Sequence, residues 1–283
     1  MPTVGVVCAM DSSYQDFKTC IDGHENRCPE RNCHAPVYAL KSMRDNHIHR
    51  KGAGMSMSTI IGCPRAFAIH DIFDVYEPVI SGYNKARGSW VHAMLEVDTD
   101  PPPWIIREER LYTYVDGVRL SGQPDVVDTK FNVLEDYKSK DNLPRDADKG
   151  HEFQFNGYAY LLKNGMWLRD HSLGKKGEIA NVDIHVIGAH YLTWKTKTEK
   201  AWLKKMYPVW PHDQTEELIK ARIRPLKAWR DYGTMPSCAP YVSGRWKCDC
   251  DKYIDQLIDR EEFATSVEVL DAAERIQRER IGV

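Results

Sequence analysis

Residues 121–140, which read SGQPDVVDTKFNVLEDYKSK, constrain the fold of this chain more than any other segment. Side chains alternate between the two faces of a β-strand. A strand over residues 132–139 therefore places Asp136 and Lys138 on one face and Glu135 on the other. This alternation selects Asp136, and not Glu135, as the partner of the lysine.

A second carboxylate, Asp125, follows a proline on the preceding predicted strand, and it can approach Asp136 if the two strands pair as neighbours. Two carboxylates held close together repel each other unless a cation lies between them. Hard oxygen ligands suit Mg²⁺ or Mn²⁺, and such a site can hydrolyse phosphodiester bonds, with Lys138 orienting or helping to deprotonate the attacking water. The alternative is an exposed strand pair with surface ion pairs.

Two predicted helices carry further polar side chains toward this strand pair. His92 lies one turn after Gly88, which would let its helix approach the sheet closely, and an imidazole can complete a divalent-metal site. A lone helical histidine is more often structural. Gln154 and Tyr158 are four residues apart on the helix after the active strand, where they could hold a DNA strand or fix the lysine. The alternative is an ordinary amphipathic helix.

Periodicity elsewhere predicts an α/β fold with a mixed central sheet. Asp116-Gly117 between two alternating segments indicates a β-hairpin. In the helix over 85–98, the spacing predicts that Trp90, Val91, Met94 and Leu95 are buried. Helices are expected over 58–76, 85–98, 151–165, 211–231 and 251–281, with Gly165 closing the third of them.

Composition excludes some classes of protein. No window approaches eighteen consecutive apolar residues, so no membrane span is expected, and the first residues do not resemble a secretion signal. The prediction is a cytoplasmic protein whose clustered cysteines are metal ligands. The net charge of −2 does not indicate a nucleic-acid binder. The basic segments 42–51, 195–205 and 220–230 could follow a phosphate backbone or form solvated helix faces.

The motifs together resemble the RecB-type nucleases of the PD-(D/E)xK superfamily. They are the segment SMSTIIGCPRAFAI, Gly88 with His92, GQPD, DYK, and Gln154 with Tyr158, in that order along the chain. The resemblance implies a restriction-endonuclease-like core, with a mixed sheet flanked by helices, and Mg²⁺- or Mn²⁺-dependent DNA cleavage. The metal ligands that it implies are His92, Asp125, Asp136 and the carbonyl of Tyr137. It implies that Lys138 is the catalytic lysine and that Gln154 and Tyr158 form the family's QxxxY motif.

A subset of these nucleases, including the exonucleases of CRISPR adaptation, carries a 4Fe–4S cluster held by one cysteine before the core and three after it. Cys63 with Cys238, Cys248 and Cys250 resembles that arrangement. The single residue between Cys248 and Cys250 is tighter than the usual spacing, and zinc also suits four thiolates. Reduced structural cysteines are the remaining alternative.

The N-terminal segment CIDGHENRCPERNCH predicts a second metal site. Cys20, His24, Cys28 and Cys33 could bind Zn²⁺ tetrahedrally, which would fold a segment with little core of its own. Cys8 could replace His24. Free thiols are the alternative, since the spacing matches no established zinc-ribbon pattern.

These observations predict three regions: a Cys/His-rich segment over 1–55, a nuclease core over 56–232, and a cysteine segment with a helix over 233–283. We expect a prokaryotic or phage-encoded exonuclease that acts on DNA with a free end. Its setting would be DNA end processing, recombination or CRISPR and phage DNA metabolism, with recombination or CRISPR-adaptation proteins as partners. The alternatives are a structure-specific or nicking endonuclease, a non-catalytic DNA-binding metal protein, and a zinc-dependent interaction protein.

Overall fold

The structure is a computed structural model that describes residues 5–8, 12–25, 40–41, 54–78, 87–90, 92–93, 100–140, 142–169, 174–193, 202–238 and 248–283. The strands in these ranges are β1 (Gly5–Val7), β2 (Tyr14–Asp16), β3 (Met55–Ser56), β4 (Tyr76–Pro78), β5 (Ile105–Arg107), β6 (Leu111–Val115), β7 (Val118–Gly122), β8 (Val126–Asp128), β9 (Val133–Lys140), β10 (Met166–Trp167), β11 (Val186–Thr193) and β12 (Trp202–Tyr207). The helices are α1 (Phe17–Glu25), α2 (Met57–Ile61), α3 (Pro64–Ile72), α4 (Lys149–Asn164), α5 (His212–Tyr232), α6 (Asp249–Asp259) and α7 (Ser266–Ile281). Residues 87–90 and 92–93 are also helical.

The central sheet contains five strands in the order β12-β11-β9-β8-β5. β9 and β11 are parallel, while the other neighbouring strands are antiparallel. The chain crosses from β9 to β11 through α4, which packs on one face of the sheet and buries Leu134, Phe155, Leu161 and Tyr191. The predicted α/β fold, with a mixed sheet flanked by helices, is confirmed.

A four-stranded sheet, in the order β10-β6-β7-β3, lies beside the central sheet. β6 and β7 form the hairpin that the Asp116-Gly117 pair predicts. Asp116 has φ of 48° and Gly117 has φ of 74°. Two consecutive left-handed residues match the twist of the flanking strands, so this turn fixes the register of the hairpin. A third sheet contains β2, β1 and β4.

The C-terminal helices pack around Trp229 of α5, which is fully buried. Ile69 of α3, Leu257 of α6 and Val269 of α7 belong to the same apolar cluster. The indole Nε1 of Trp229 lies 3.4 Å from Asp71 Oδ2. This cluster joins the first helices of the described core to the last helices of the chain. The predicted helical C-terminus is therefore confirmed, although the helix expected over 251–281 is divided into α6 and α7.

The single helix predicted over 58–76 is wrong. α2 ends at Ile61, with Gly62 after it, and α3 begins after Cys63, with Pro64 in its first turn. Proline restricts the preceding residue to an extended conformation, and Cys63 has ψ of 121°. Tyr76 lies in β4 and not in a helix. The break places Cys63 at the N-terminus of α3.

The helix predicted over 85–98 is described only over residues 87–90 and 92–93. Trp90 is 55% exposed, so its predicted burial is wrong. Val91, Met94 and Leu95, whose burial was also predicted, lie outside the described residues. The segment therefore presents its tryptophan to solvent and not to the core.

The structure also bears on the predictions from composition. Within the described ranges, no helix has both the length and the apolar character that crossing a bilayer requires. Residues 220–230 belong to α5, which buries Ile223, Leu226 and Trp229 and directs its charged side chains away from the core. Contact of this helix face with a phosphate backbone stays a prediction. Residues 42–51 and 194–201 lie outside the described part of the chain.

We predict that Trp229→Ala lowers the free energy of unfolding by about 3–5 kcal/mol, because it removes the side chain that four helices share. Tyr232→Ala, three residues later on α5, is the matched control, since Tyr232 is 66% exposed. Urea unfolding followed by circular dichroism measures both. Equal stability of the two variants would contradict the role assigned to Trp229.

Candidate metal centre and active site

β9 places Asp136 and Lys138 on the face that α4 covers. Asp136 is 1% exposed, and its Oδ1 forms an ion pair with Lys138 Nζ. The ammonium of Lys138 also lies 5.5 Å from the centre of the Phe155 ring. Glu135 lies on the opposite face, where its Oε1 is 2.5 Å from Lys204 Nζ. The pairing of the lysine with Asp136 follows the alternation predicted from the sequence.

Asp125 occupies the gap between β7 and β8. The last pair of the β8–β9 ladder on this side is Val126 with Glu135. Asp136 and Tyr137 therefore have no partner in β8. Asp125 Oδ2 accepts a hydrogen bond of 2.6 Å from the backbone N–H of Tyr137. The carboxylate thus replaces a backbone partner of the ladder. The hydrogen bond fixes Asp125 beside Tyr137, which follows Asp136.

His92 reaches this gap from the helical stretch that contains it. Its Nδ1 lies 3.4 Å from Asp125 Oδ1 and 2.5 Å from Glu108 Oε1. Arg87 of the same stretch donates from Nε to Ser139 Oγ of β9 at 2.9 Å, which anchors this stretch to the active strand. One ligand atom each from His92, Glu108 and Asp125 lies within 4.8 Å of the others.

Glu108 is a site residue that the sequence analysis did not identify. It follows β5 with φ of 51°, and its N–H donates to the carbonyl of Asp125 at 3.0 Å. Gln123 Nε2 donates to Glu108 Oε2 at 2.9 Å, and Arg110 Nη2 donates to Gln123 Oε1 at 2.8 Å. The available signal was weak, because REER at 107–110 offers two adjacent acids.

Burial and like charges raise the pKa values of two carboxyl groups here, those of Asp125 and Asp136. Burial, and then the charge of Asp136, raises the pKa of Asp125 to about 7. Burial also raises the pKa of Asp136. The hydrogen bond to Glu108 raises the pKa of His92. Burial would lower the pKa of Lys138, but the carboxylates of Asp136 and Asp125 outweigh it and raise that pKa. A cation in this site would relieve the repulsion between the acids.

Gln154 and Tyr158 lie one turn apart on the buried side of α4. Gln154 Nε2 donates to Tyr158 Oη at 2.7 Å. A Cβ atom at Gly122 would meet the Tyr158 ring at 2.8 Å, so only glycine lets β7 approach α4 this closely. The two side chains are hydrogen-bonded to each other, and burial raises the pKa of Tyr158, so its phenol keeps its proton.

The four cysteines predicted as a group converge in the structure. Cys63 precedes α3, and Cys248 and Cys250 lie at the N-terminus of α6. Cys238 Sγ lies 3.8 Å from Cys63 Sγ, 3.2 Å from Cys248 Sγ and 3.7 Å from Cys250 Sγ. All four sulfur atoms lie within 4.8 Å of one another. A Cys₄ group therefore joins residues from the two ends of the core.

These spacings bear on which metal the group fits. A tetrahedral ion with metal–sulfur bonds of about 2.3 Å holds its sulfur ligands about 3.8 Å apart. A 4Fe–4S cluster places a cage of iron and sulfide between the cysteines, so it requires them farther apart. Hydrogen bonding by Cys250 lowers the pKa of Cys63 to about 5, which favours a thiolate there.

The predicted N-terminal zinc site lies mostly outside the described residues. Cys28 and Cys33 fall in undescribed segments, and the side chain of His24 is likewise not described. Cys20 lies on α1 and packs at the edge of a small cluster with Val6. Zinc binding by this segment stays a prediction.

Comparisons with known proteins bear on this fold and site. The family model of the PD-(D/E)XK nuclease superfamily matches residues 99–252, more than half of the chain. The chain belongs to the PD-(D/E)XK nuclease superfamily, whose members use divalent metals to cleave DNA. A solved structure titled "Crystal structure of SSO0001" is 16% identical, with a TM-score of 0.42, and the alignment covers 66% of this chain and 83% of that chain. A search of the curated proteins found no match.

We predict that Glu108→Gln weakens Mn²⁺ binding by about tenfold or more, because it removes one charged oxygen from the group around His92. Isothermal titration with Mn²⁺ measures the affinity without requiring activity. Glu135→Gln is the control, since Glu135 lies on the other face of the sheet. Unchanged affinity in Glu108→Gln would exclude that residue from the metal site.

Proposed function

We propose that the chain is a Mg²⁺- or Mn²⁺-dependent DNA exonuclease of the RecB-like type. The observation that carries this proposal is the convergence of His92, Glu108 and Asp125 beside the buried Asp136–Lys138 pair. The sequence contributes these residues from separate segments, and a surface ion-pair network would not bury an acid as fully as Asp136. A role in DNA end processing, recombination or phage DNA metabolism follows from a substrate with a free end.

The donor set fits a divalent ion. Its members are the imidazole of His92, the carboxylates of Glu108, Asp125 and Asp136, and the carbonyl of Tyr137. Within the described part of the chain, the buried Asp136 Oδ1 has the ion pair with Lys138 but accepts no hydrogen bond of regular geometry. That oxygen can therefore accept one further ligand beside the lysine. Oxygen-rich sites of this kind suit Mg²⁺ or Mn²⁺ better than softer metals.

A bound divalent ion would supply charge neutralisation for the phosphate and activation of the attacking water. Other residues of the chain hold the side chains that would bind the ion in place. Asp125 is held by the Tyr137 N–H, and Glu108 is held by Gln123. Lys138 presents an ammonium beside the acids, where it can orient water or stabilise charge on a phosphate oxygen. In this proposal, Gln154 and Tyr158 support the lysine from α4.

The test compares end-labelled linear DNA with covalently closed circular DNA, each with Mg²⁺ or Mn²⁺. An exonuclease degrades only the linear substrate and releases short products from the end. Cleavage of the circle would replace the exonuclease with the endonuclease alternative. Binding without cleavage of either substrate would favour the non-catalytic alternative.

We predict that Asp136→Ala lowers cleavage to background, because it removes a ligand and the lysine's partner. Lys138→Ala should lower the cleavage rate by at least a hundredfold while changing Mn²⁺ affinity little. Glu135→Ala is the matched control on the neighbouring position of β9, and it should retain most of the activity. Circular dichroism checks that each variant is folded. Full activity of Asp136→Ala would refute the site.

We also propose that Cys63, Cys238, Cys248 and Cys250 hold a metal centre that joins the nuclease core over 56–232 to the segment over 233–283. The family resemblance favours a 4Fe–4S cluster. The sulfur spacing favours a single tetrahedral ion such as Zn²⁺. Either centre would link α3 to α6, because Cys63 lies at the start of α3 and Cys248 and Cys250 lie at the start of α6.

Elemental analysis and a visible spectrum of an anaerobic preparation distinguish the two centres. A brown protein with iron and sulfide identifies the cluster, whereas a colourless protein with zinc identifies the single ion. We predict that Cys63→Ser removes the metal and lowers the melting temperature. Lys252→Ala, on the same helix as Cys250, removes no thiol and should leave metal content unchanged. A metal-free wild-type protein would leave the four cysteines structural.

A further inference from the structure

Arg110 lies immediately before β6, two residues after a member of the metal group. Its backbone carbonyl accepts a hydrogen bond of 2.8 Å from the N–H of Leu168. The next residue, Leu111, pairs with Gly122 of β7 on one side and with Trp167 of β10 on the other. Because neighbouring strands hold this part of the chain on both sides, the side chain of Arg110 extends from a fixed backbone position.

The amide of Gln123 connects this arginine to the metal group. Gln123 Nε2 donates to Glu108 Oε2 at 2.9 Å, and Arg110 Nη2 donates to Gln123 Oε1 at 2.8 Å. One amide group therefore separates the guanidinium from a carboxylate of the metal group. Among the described residues, no carboxylate forms an ion pair with Arg110, and its side-chain partner is this neutral amide.

The charge of Arg110 is thus not neutralised where the structure places it. The side chain is partly buried. Lys138, in contrast, forms an ion pair with Asp136. The charges that act most strongly on the pKa of Asp125 are those of Asp136, Lys138 and His92, so Arg110 is not the counter-ion of that acid. A partly buried cation with a neutral partner carries a desolvation cost that an anion would offset.

We infer that Arg110 binds a phosphate of the DNA strand, next to the phosphate that is cleaved. This inference rests on the proposed nuclease function and adds a substrate contact to it. The cleaved phosphate would lie at the metal group, so an arginine one amide away meets a neighbouring phosphate of the same strand. A planar guanidinium can donate two parallel hydrogen bonds to phosphate oxygens. Gln123 holds one edge of the guanidinium and so fixes its orientation.

A positioning role is the alternative for Arg110. Its N–H group on Gln123 Oε1 turns the amide so that Nε2 faces Glu108, which would support the metal group without any contact with DNA. A neutral donor would orient the amide equally well, however, and would avoid burying a charge. The positive charge is explained only if an anion joins the site.

The test measures binding of short fluorescent DNA strands by anisotropy, in the Asp136→Ala background with Mn²⁺ present, so that cleavage does not interfere. Arg110→Ala should weaken binding about tenfold, the scale of one hydrogen-bonded charge contact. It should also reduce the slope of log affinity against log salt concentration by about one. Arg110→Gln, which removes the charge but keeps an N–H donor for Gln123, should show the same losses.

Arg119→Ala is the matched control. It removes the same charge from β7, near the turn of the same hairpin, where the guanidinium lies 5.0 Å from the centre of the Tyr112 ring. Its effect on DNA affinity should be small. Equal losses in Arg119→Ala and Arg110→Ala would overturn the inference, because they would reflect the total charge of the protein and not a contact at the site.

Strands that carry one neutral methylphosphonate linkage locate the contact. At the linkage that Arg110 binds, removing the phosphate charge and removing the guanidinium should not have additive effects, because either change abolishes the same interaction. At the other linkages the two effects should add. Additive effects at every linkage would overturn the inference.

Mn²⁺ titration of Arg110→Ala separates phosphate binding from positioning. Unchanged Mn²⁺ affinity with weakened DNA binding supports the contact. A loss of Mn²⁺ affinity like that expected for Glu108→Gln would assign Arg110 to positioning through Gln123 and overturn the inference. Circular dichroism checks that both Arg110 variants are folded.

The outcomes also separate this inference from the nuclease proposal. If the wild-type chain cleaves DNA and Arg110→Ala binds DNA normally, the phosphate contact is refuted and the nuclease function stands. If the wild-type chain neither binds nor cleaves DNA, the nuclease function fails, and the phosphate contact fails with it.

Discussion

The hydrogen bond from the Tyr137 N–H to Asp125 Oδ2 determines how the site is assembled. A continuous ladder between β8 and β9 would occupy that N–H with a backbone carbonyl. Because the ladder stops at Val126, the N–H is left for a side chain, and the acid after Pro124 takes it. One missing ladder position therefore brings a carboxylate to the active strand, and the same opening admits His92 from outside the sheet.

The rest of the site depends on that opening. Glu108 reaches it because β5 pairs with β8, and the backbone N–H of Glu108 donates to the carbonyl of Asp125. α4 closes the other side, with Tyr158 against Gly122. Asp125 and Asp136 are thus held in an environment where burial raises their pKa values. Without a cation, the repulsion between these carboxylates lowers the stability of the fold. A bound divalent ion would offset that loss.

Packing among the C-terminal helices and α3 holds the two ends of the core together. Trp229 fills the space between α3, α6 and α7, and the Cys₄ group lies at the ends of two of these helices. The apolar cluster and the cysteine group act on the same helices. A metal centre there would stabilise helices that carry no catalytic side chain, so its loss should affect cleavage through stability and not through chemistry.

The sequence by itself determined the local features, because they depend on periodicity and on single residues. The alternation along β9 assigned Asp136 and Lys138 to one face, Asp116-Gly117 specified a hairpin, and Gly165 ended α4. Only the tertiary structure decided that Glu108 joins His92, since that contact depends on β5 pairing with β8 across an intervening hairpin. It also decided that Trp90 is exposed, because the exposure of a side chain depends on what the rest of the chain covers.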